Sequence, residues 1–220
     1  MDYFKTAREN MIEGQLRPNG VTEEHILNAY RTVSREHFLP QNKKDVSYID
    51  EDLILENETF LMEPVTHARM IKALNISSEE AVLDVACATG YSSAILSHIS
   101  NTVVALSCDE KQKERAKKNC EDLDLYNIAF FSGELEDCCP KYAPYSAIIF
   151  NGAIPELPED ILNKLSNGGR VVYIERDFNA PIGSAKLLQK IAENKYSKVT
   201  LFDAATPFLP SINKTQNFEF

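Results

Sequence analysis

The chain has 220 residues, of which 44% are hydrophobic and 25% charged, and its formal net charge is −10 at pH 7. This composition is typical of a globular domain that buries a core without disulfide bonds, and it excludes collagen, coiled coils and disordered polymers. No apolar run approaches the ~18 residues of a membrane helix, and the N-terminus does not read as a secretory signal. We therefore expect a cytoplasmic protein. Its acidic balance disfavours broad binding to nucleic acid or to an anionic membrane.

The cysteines indicate a reducing compartment. There are five of them, Cys87, Cys108, Cys120, Cys138 and Cys139. Their number is odd, no C-x-x-C pair occurs, and no histidine lies near the adjacent pair. We therefore expect free thiols rather than disulfides or a metal site.

The chain changes character near Glu80. Before it, helical and loop patterns prevail, residues 48–64 are acidic and irregular, and Pro64 is expected to open a helix. After it, short apolar runs alternate with helical patterns. The predicted strands are Ala81–Val85, Thr102–Leu106, Ile128–Phe131, Ser146–Phe150 and Arg170–Ile174, and the predicted helices are Tyr91–Ser100, Glu110–Asp122 and Pro158–Leu165. Strands that are apolar on both faces and alternate with helices predict an α/β protein with a doubly wound parallel sheet.

The tail of the chain is ambiguous by pattern alone. Residues 184–196 have the composition of a helix, whereas residues 197–205 read as a strand.

A small-residue loop between the first of these strands and the following helix is the candidate ligand site. In LDVACATGYSSAIL, residues 83–96, the turn is small enough for a ligand to lie against its backbone. A dinucleotide fingerprint would need a third small residue where Tyr91 stands, which disfavours NAD. The spacing resembles the D/E-x-G-x-G-x-G motif of class I S-adenosylmethionine-dependent methyltransferases, and the alternative is a tight turn without a ligand. The candidate loop residues are Asp84, Ala86, Cys87, Ala88 and Gly90.

Further candidates follow the next two strands. Ser107 stands where these methyltransferases usually carry the acid that grips the ribose hydroxyls, and Asp109 follows two residues later. Asp109 also fits a capping box with Gln112 for the next helix, so ribose binding and capping both remain open. Glu134 could accept a hydrogen bond from an adenine amino group or could lie in a solvated turn. If Ala86 or Ala88 requires a positive φ, each alanine costs about 1–2 kcal/mol.

Longer stretches of the chain resemble the protein-L-isoaspartate (D-aspartate) O-methyltransferase family. NMIEGQLRPNGV, residues 10–21, is similar to the family's M-x-x-x-Q-L-R-x-x-G opening. The segment 143–172 is similar to its A-P-Y-D-x-I, A-x-P-x-x-P and L-x-x-G-G-R-L-V sequences. The resemblance implies transfer of a methyl group from S-adenosylmethionine to the carboxylate of an isoaspartyl residue. The resulting ester closes to a succinimide, which can reopen to aspartate, so the substrates are damaged proteins.

The resemblance also implies an architecture. It predicts a Rossmann-like class I methyltransferase fold with a mostly parallel, seven-stranded sheet and helices on both faces. Residues 1–79 form a helical N-terminal region with the substrate loop, and residues 80–220 form the methyltransferase-fold domain, within one compact unit. The family's sheet ends in an antiparallel hairpin, so residues 186–192 become a strand that pairs with residues 198–202.

The substrate loop departs most from the family sequence. Aligned on Pro64, the family's G-x-G-Q-T-I-S-Q-P places Phe60 at the threonine and Met62 at the serine. The candidate substrate-binding residues of this loop are Thr59, Met62 and Glu63. Three consecutive apolar residues between acids are hard to leave exposed, so we expect residues 60–62 to pack inward. Methionine cannot usefully hydrogen-bond a carboxylate, so we expect isoaspartyl methylation to be low. The alternative function is a methyltransferase-fold homologue with weak or lost catalysis, or with another substrate, that acts as a binding or regulatory protein.

Overall fold

The computed structural model describes residues 3–56, 58–134 and 140–210. Its N-terminal region consists of short helices and one small hairpin. These elements are α1 (Tyr3–Met11), a π-helical turn (Ile12–Leu16), α2 (Glu24–Thr32), two 3-10 turns (Arg35–Phe38 and Gln41–Val46), β1 (Leu53–Ile54), β2 (Phe60–Leu61) and α3 (Pro64–Leu74). Pro64 is the first residue of α3, as predicted, because its missing N–H group would have no helical partner there.

The remainder of the chain forms a seven-stranded sheet and its helices. The elements are β3 (Ala81–Val85), α4 (Tyr91–Ser97), β4 (Thr102–Ser107), α5 (Glu110–Glu121), β5 (Ile128–Ser132), a 3-10 turn (Pro140–Tyr142), β6 (Tyr145–Ile154), α6 (Glu159–Asn163), β7 (Leu165–Glu175), β8 (Gly183–Ala192) and β9 (Lys195–Ala204). The strand order is β5-β4-β3-β6-β7-β8-β9. The first five strands in this order pair in parallel, whereas β7, β8 and β9 pair antiparallel.

Successive residues of the central strands enter different hydrophobic clusters. Val82 and Ile149 belong to the cluster that contains apolar residues of α2, α3 and α4. Their neighbours Leu83 and Ile148 belong to a second cluster, which contains Ile161 of α6. Because side chains alternate across a strand, both faces of the sheet are covered, as its two-sided apolar strands predict.

The predicted fold class is confirmed, including the C-terminal hairpin that the resemblance implies, whereas the helix that pattern alone favours for residues 184–196 is wrong. Lys186 pairs with Thr200 and Leu188 with Lys198 in that hairpin. The predicted helix over residues 158–165 is wrong in length, since α6 spans five residues and β7 already begins at Leu165. The pair Gly168-Gly169 lies inside β7, where the register with β6 shifts. Gly168 has a φ of 77°, which an irregular strand accommodates most easily with glycine.

No helix in the described part of the chain is both long and apolar enough to cross a membrane. The thiols of Cys87, Cys108 and Cys120 are free. Cys138 and Cys139 lie outside the described residues, so the expectation of five free thiols stays a prediction for them.

Arg170 of β7 joins the sheet to the N-terminal region. Its guanidinium donates to the carbonyl of Leu74 at 2.6 and 2.8 Å and to the carbonyl of Asn75 at 2.9 Å, at the end of α3. It also makes a forked ion pair with Glu80 at 2.6 and 2.9 Å. One hydrophobic cluster contains residues from both parts of the chain. We propose that residues 1–79 and 80–220 fold as one compact unit.

Replacing Arg170 tests this junction. Arg170→Met should lower the free energy of unfolding by about 2 kcal/mol or more, because the carbonyls of α3 and the Glu80 carboxylate lose their donors. Arg170→Lys should restore less than half of the loss, since one ammonium cannot reproduce the fork. Urea unfolding measures both variants, with the exposed Arg115→Met as control. Equal stability of Arg170→Met and the control would contradict the proposed junction.

Candidate functional site

The candidate site lies at the carboxyl ends of β3, β4 and β6. The chain runs from β3 outward through β4 to β5 and then returns to place β6 on the other side of β3. This reversal is where open α/β sheets bind ligands. The loop 86–90 leaves β3 at this point, and Asn151 to Ile154 form the end of β6 beside it.

The loop backbone is left-handed at three of its five residues. The φ angle is 60° at Ala86, 49° at Ala88 and 93° at Gly90. A Cβ atom at Gly90 would lie 3.1 Å from the carbonyl oxygen of Ala116 and from the sulfur of Cys120, so packing as well as the φ angle favours glycine there. The two alanines therefore adopt the strained conformation that the sequence suggested, at a cost of about 1–2 kcal/mol each.

Glycine substitution measures this strain. Ala86→Gly and Ala88→Gly should each leave the free energy of unfolding unchanged or raise it by up to about 1 kcal/mol. Each relieves left-handed strain, and the extra freedom of glycine in the unfolded chain offsets part of the gain. Ala94→Gly in helix α4 is the matched control and should lower stability by about 1–2 kcal/mol. Thermal unfolding of the three variants gives the comparison, and a comparable loss at all three positions would show that the loop is not strained.

Beneath the loop, the carboxylate of Asp84 is fully buried and surrounded by donors. Ser92 donates to it at 2.8 Å, Ser93 at 2.5 Å and Asn151 at 2.6 Å. Burial raises the pKa of Asp84 to about 6, although the three hydrogen bonds favour the ionised form. The structure thus uses Asp84 to fasten α4 and β6 to the loop, and its predicted contact with a cofactor stays a prediction.

A directed chain of hydrogen bonds reaches Asp84 from the N-terminal helices. At pH 7 the hydroxyl of Ser92 donates a hydrogen bond to the carboxylate of Asp84, so its oxygen accepts from Nε2 of His67 at 3.0 Å. The Nδ1 atom of His67 then carries no proton and accepts from the hydroxyl of Tyr30 at 2.6 Å. Burial lowers the pKa of His67 to about 3, which agrees with a neutral ring. His67 is the link between α3 and the loop.

The tautomer of His67 gives an NMR test. In protein with ¹⁵N-labelled histidine, His67 should show the Nε2–H tautomer and no protonation between pH 5 and pH 8, with the exposed His25 as comparison. The unfolded chain takes up a proton on this ring below the ordinary histidine pKa of 6.5, and the folded chain does not. His67 by itself should therefore lower stability as the pH falls below about 6.5. Protonation of His67 in folded protein above pH 5 would refute the hydrogen-bond directions given above.

The end of β4 differs from the predicted ribose site. The hydroxyl of Ser107 is buried and lies 3.1 Å from the sulfur of Cys87, so it points under the loop. Asp109 is exposed and caps α5, accepting from the backbone N–H of Gln112 at 2.8 Å and from its side chain at 3.0 Å. The capping alternative is therefore confirmed. Glu134 is exposed in the turn after β5. Binding of ribose by Ser107 or Asp109, and of adenine by Glu134, stays a prediction.

The substrate-loop segment forms the β1–β2 hairpin and is packed inward. Phe60, Leu61 and Met62 are each 4% exposed, as expected, while Glu56 and Glu58 are exposed. The candidate polar residues are engaged locally. The hydroxyl of Thr59 donates to the carbonyl of Glu56 at 2.6 Å, and the carboxylate of Glu63 accepts from the hydroxyl of Thr66.

Apolar side chains fill the space above the end of β6. A Cβ atom placed on Gly152 would lie 2.4 Å from Cδ2 of Leu209 and 3.0 Å from Cζ of Phe60. Leu209 is held there by the backbone, because its N–H donates to the carbonyl of Ala153 at 3.0 Å. Among the described residues, two cavities of about 10 Å³ each lie beside Ala86 and Ala88, and a third of about 40 Å³ lies beside Ala88, Thr89 and Gln112. Sequence reasoning missed Leu209, since no local pattern indicates a contact across more than fifty residues.

Together, the sheet order, the terminal hairpin and the left-handed loop define a protein with the class I methyltransferase fold. The family model described as "Protein-L-isoaspartate(D-aspartate) O-methyltransferase (PCMT)" matches residues 6–214. The chain belongs to this family of S-adenosylmethionine-dependent methyltransferases.

Individual relatives agree with this assignment. A protein-L-isoaspartate O-methyltransferase 2 of Pelobacter propionicus is 33% identical over 184 residues, which cover 84% of this chain and 79% of the relative. The protein-L-isoaspartate O-methyltransferase of Methanoculleus marisnigri is 29% identical over 97% of this chain and 94% of its own. A solved protein-L-isoaspartate O-methyltransferase superposes with a TM-score of 0.82 at 25% identity, covering 91% of this chain and 65% of that longer chain.

A second solved structure supports the fold. It is a putative enzyme of this family from Plasmodium falciparum in complex with S-adenosyl-L-homocysteine, with a TM-score of 0.77, 17% identity and coverage of 95% of this chain and 99% of that one.

The backbone conformation of the loop suits such a cofactor, but the cavities beside it are too small to hold one. The left-handed loop has the form that lets a ligand approach a backbone closely. Pockets for ligands of this size, however, enclose ~300–1,000 Å³, far more than the three cavities beside the loop enclose. The site is therefore closed in this conformation by Phe60, Met62 and Leu209.

Proposed function

We propose that this protein binds S-adenosylmethionine over the loop 84–90 and methylates isoaspartyl carboxylates of damaged proteins, slowly, from a conformation in which the hairpin 53–61 and the segment 206–210 have moved. The observation that carries the proposal is the strained backbone at Ala86 and Ala88. A strained backbone persists where the surrounding structure over-determines it, and such positions cluster at ligand sites. A cytoplasmic location accompanies the proposal, supported by the free thiols.

The reaction requires little chemistry from the chain's own residues. S-adenosylmethionine supplies a methyl group already activated on a sulfonium sulfur. A carboxylate substrate is ionised at neutral pH and needs no strong base, so the protein has to hold the carboxylate in line. Gly152 has no side chain to obstruct the end of β6. In the hairpin, Thr59 carries a hydroxyl next to Phe60, the residue that stands at the family's threonine.

The same site explains why the reaction should be slow. Met62 offers no useful hydrogen bond to a carboxylate, and Phe60 and Leu209 occupy the space above Gly152. Each opening exposes apolar side chains that contribute about 1.5–3 kcal/mol apiece when buried. Ligand binding therefore has to offset this loss before any methyl group is transferred.

A second candidate function follows from the closed site. A homologue whose own side chains fill the pocket could act as a binding or regulatory protein without catalysis. The two 10 Å³ cavities favour this alternative.

A radiolabelled methyl-transfer assay on an isoaspartyl peptide separates the two functions. The unaltered chain should transfer methyl groups slowly, and a Phe60→Thr, Met62→Ser variant should transfer them at least tenfold faster, because it gains hydroxyls and room. Ile99→Ala, a buried change away from the two cavities, is the control for general loosening and should give no gain. The double variant Ala86→Gly, Ala88→Gly should bind S-adenosylhomocysteine more tightly by calorimetry. Absence of both transfer and binding in every variant would favour the non-catalytic alternative.

A further inference from the structure

The side-chain amide of Asn151 has one possible orientation. Its Nδ2 donates to the carboxylate of Asp84 at 2.6 Å and to the carbonyl of Val85 at 2.9 Å. Exchanging the amide oxygen and nitrogen would place the oxygen against these two acceptors, which have no hydrogen to offer. Both hydrogens of the amide are therefore committed to the protein, and its oxygen points away from Asp84 and Val85.

The acceptor Asp84 is itself immobilised. Ser92 and Ser93 of α4 donate to it, and the chain from Tyr30 through His67 fixes the hydroxyl of Ser92. Asn151 is thus held by a buried network that starts in α2 and ends at β6. Networks in which every donor has an acceptor hold their members rigidly.

The oxygen of Asn151 is left without a donor. Within residues 3–56, 58–134 and 140–210, no group donates to its Oδ1. Asn151 is 7% exposed, and it lines the two cavities of about 10 Å³ beside Ala86 and Ala88. A buried acceptor without a donor is unfavourable, so a rigidly held one on a residue that lines a cavity is suited to receive a donor from a ligand.

We propose that Asn151 is a ligand-binding residue whose Oδ1 accepts a hydrogen bond from an N–H group of the bound molecule. This inference rests on the proposed function for the identity of the molecule. The N–H group belongs either to the amino group of the methyl donor or to an amide of the isoaspartyl peptide. Asp84, Ser92 and His67 are positioning residues, because they act on the ligand through the amide of Asn151.

The first test follows the amide itself. In protein with ¹³C,¹⁵N-labelled asparagine, the two Nδ2 hydrogens of Asn151 should exchange slowly with solvent, because both are donated inside the protein. Adding S-adenosylhomocysteine or an isoaspartyl peptide should shift its ¹³Cγ resonance. The measurement uses the unaltered chain and the Phe60→Thr, Met62→Ser variant. No shift with either ligand in either protein would overturn the proposal.

The second test compares Asn151→Ala with Asn119→Ala. Asn119 also fastens the loop, donating to the carbonyl of Thr89 at 2.9 Å, but it lines neither cavity. Asn151→Ala should weaken binding of one ligand by about tenfold or more relative to Asn119→Ala, as loss of a hydrogen bond to a charged or buried partner does.

The ligands used identify the donor. Loss of affinity for S-adenosylhomocysteine but not for methylthioadenosine, which lacks the amino-acid portion, assigns the donor to the amino group. Loss confined to the isoaspartyl peptide assigns it to the substrate. Equal affinities of Asn151→Ala and Asn119→Ala for all three ligands would overturn the proposal even if methyl transfer is found. Binding that depends on Asn151, without any methyl transfer, would support the role of Asn151 and would contradict the proposed methylation of isoaspartyl carboxylates.

Discussion

The buried carboxylate of Asp84 is the constraint on which the site depends. A carboxylate without water is unfavourable unless donors surround it, and three side chains from α4 and β6 supply them. Satisfying Asp84 therefore fixes the start of α4, the end of β6 and the loop between them. The strained φ angles of Ala86 and Ala88 are tolerated inside this frame, because relaxing the loop would move its flanking elements and leave the carboxylate unpaired.

The same constraint makes the N-terminal region part of the site. Ser92 donates a hydrogen bond to Asp84 while its oxygen accepts one from His67 of α3, and the ring of His67 accepts in turn from the hydroxyl of Tyr30 of α2. Arg170 completes the attachment from the opposite end of α3. The N-terminal region thus supports the loop 86–90 through His67 and also contains the β1–β2 hairpin.

Two tendencies oppose each other at the end of β6. The rigid frame under the loop preserves the backbone form of a ligand site, at a cost in strain. The hairpin and the C-terminal segment cover that backbone with Phe60, Met62 and Leu209, which gain stability from burial. Binding and closure therefore compete for the same surface, and the balance between them decides how much of the family's reaction this chain retains.

The sequence by itself determined the elements and the family. Runs such as Ala81–Val85 are apolar on both faces, so local pattern was sufficient for the parallel sheet, and the spacing of small residues in the loop 84–90 is what predicts a ligand site there. The inward packing of residues 60–62 also followed from their apolarity. For the final hairpin, resemblance was needed, because residues 184–196 carry a helical composition and their pairing with β9 is a tertiary effect.

Only the tertiary structure decided which polar atoms face the site. Ser107 points beneath the loop toward Cys87, and Asp109 is occupied as a helix cap, although both stand at plausible positions in the sequence. Leu209 and Asn151 lie far apart along the chain, yet they line the same cavity. A side chain's orientation depends on partners brought from other elements, and the contacts that fix it are long-range. The sequence pattern therefore locates such residues on strands or loops but does not assign their chemistry.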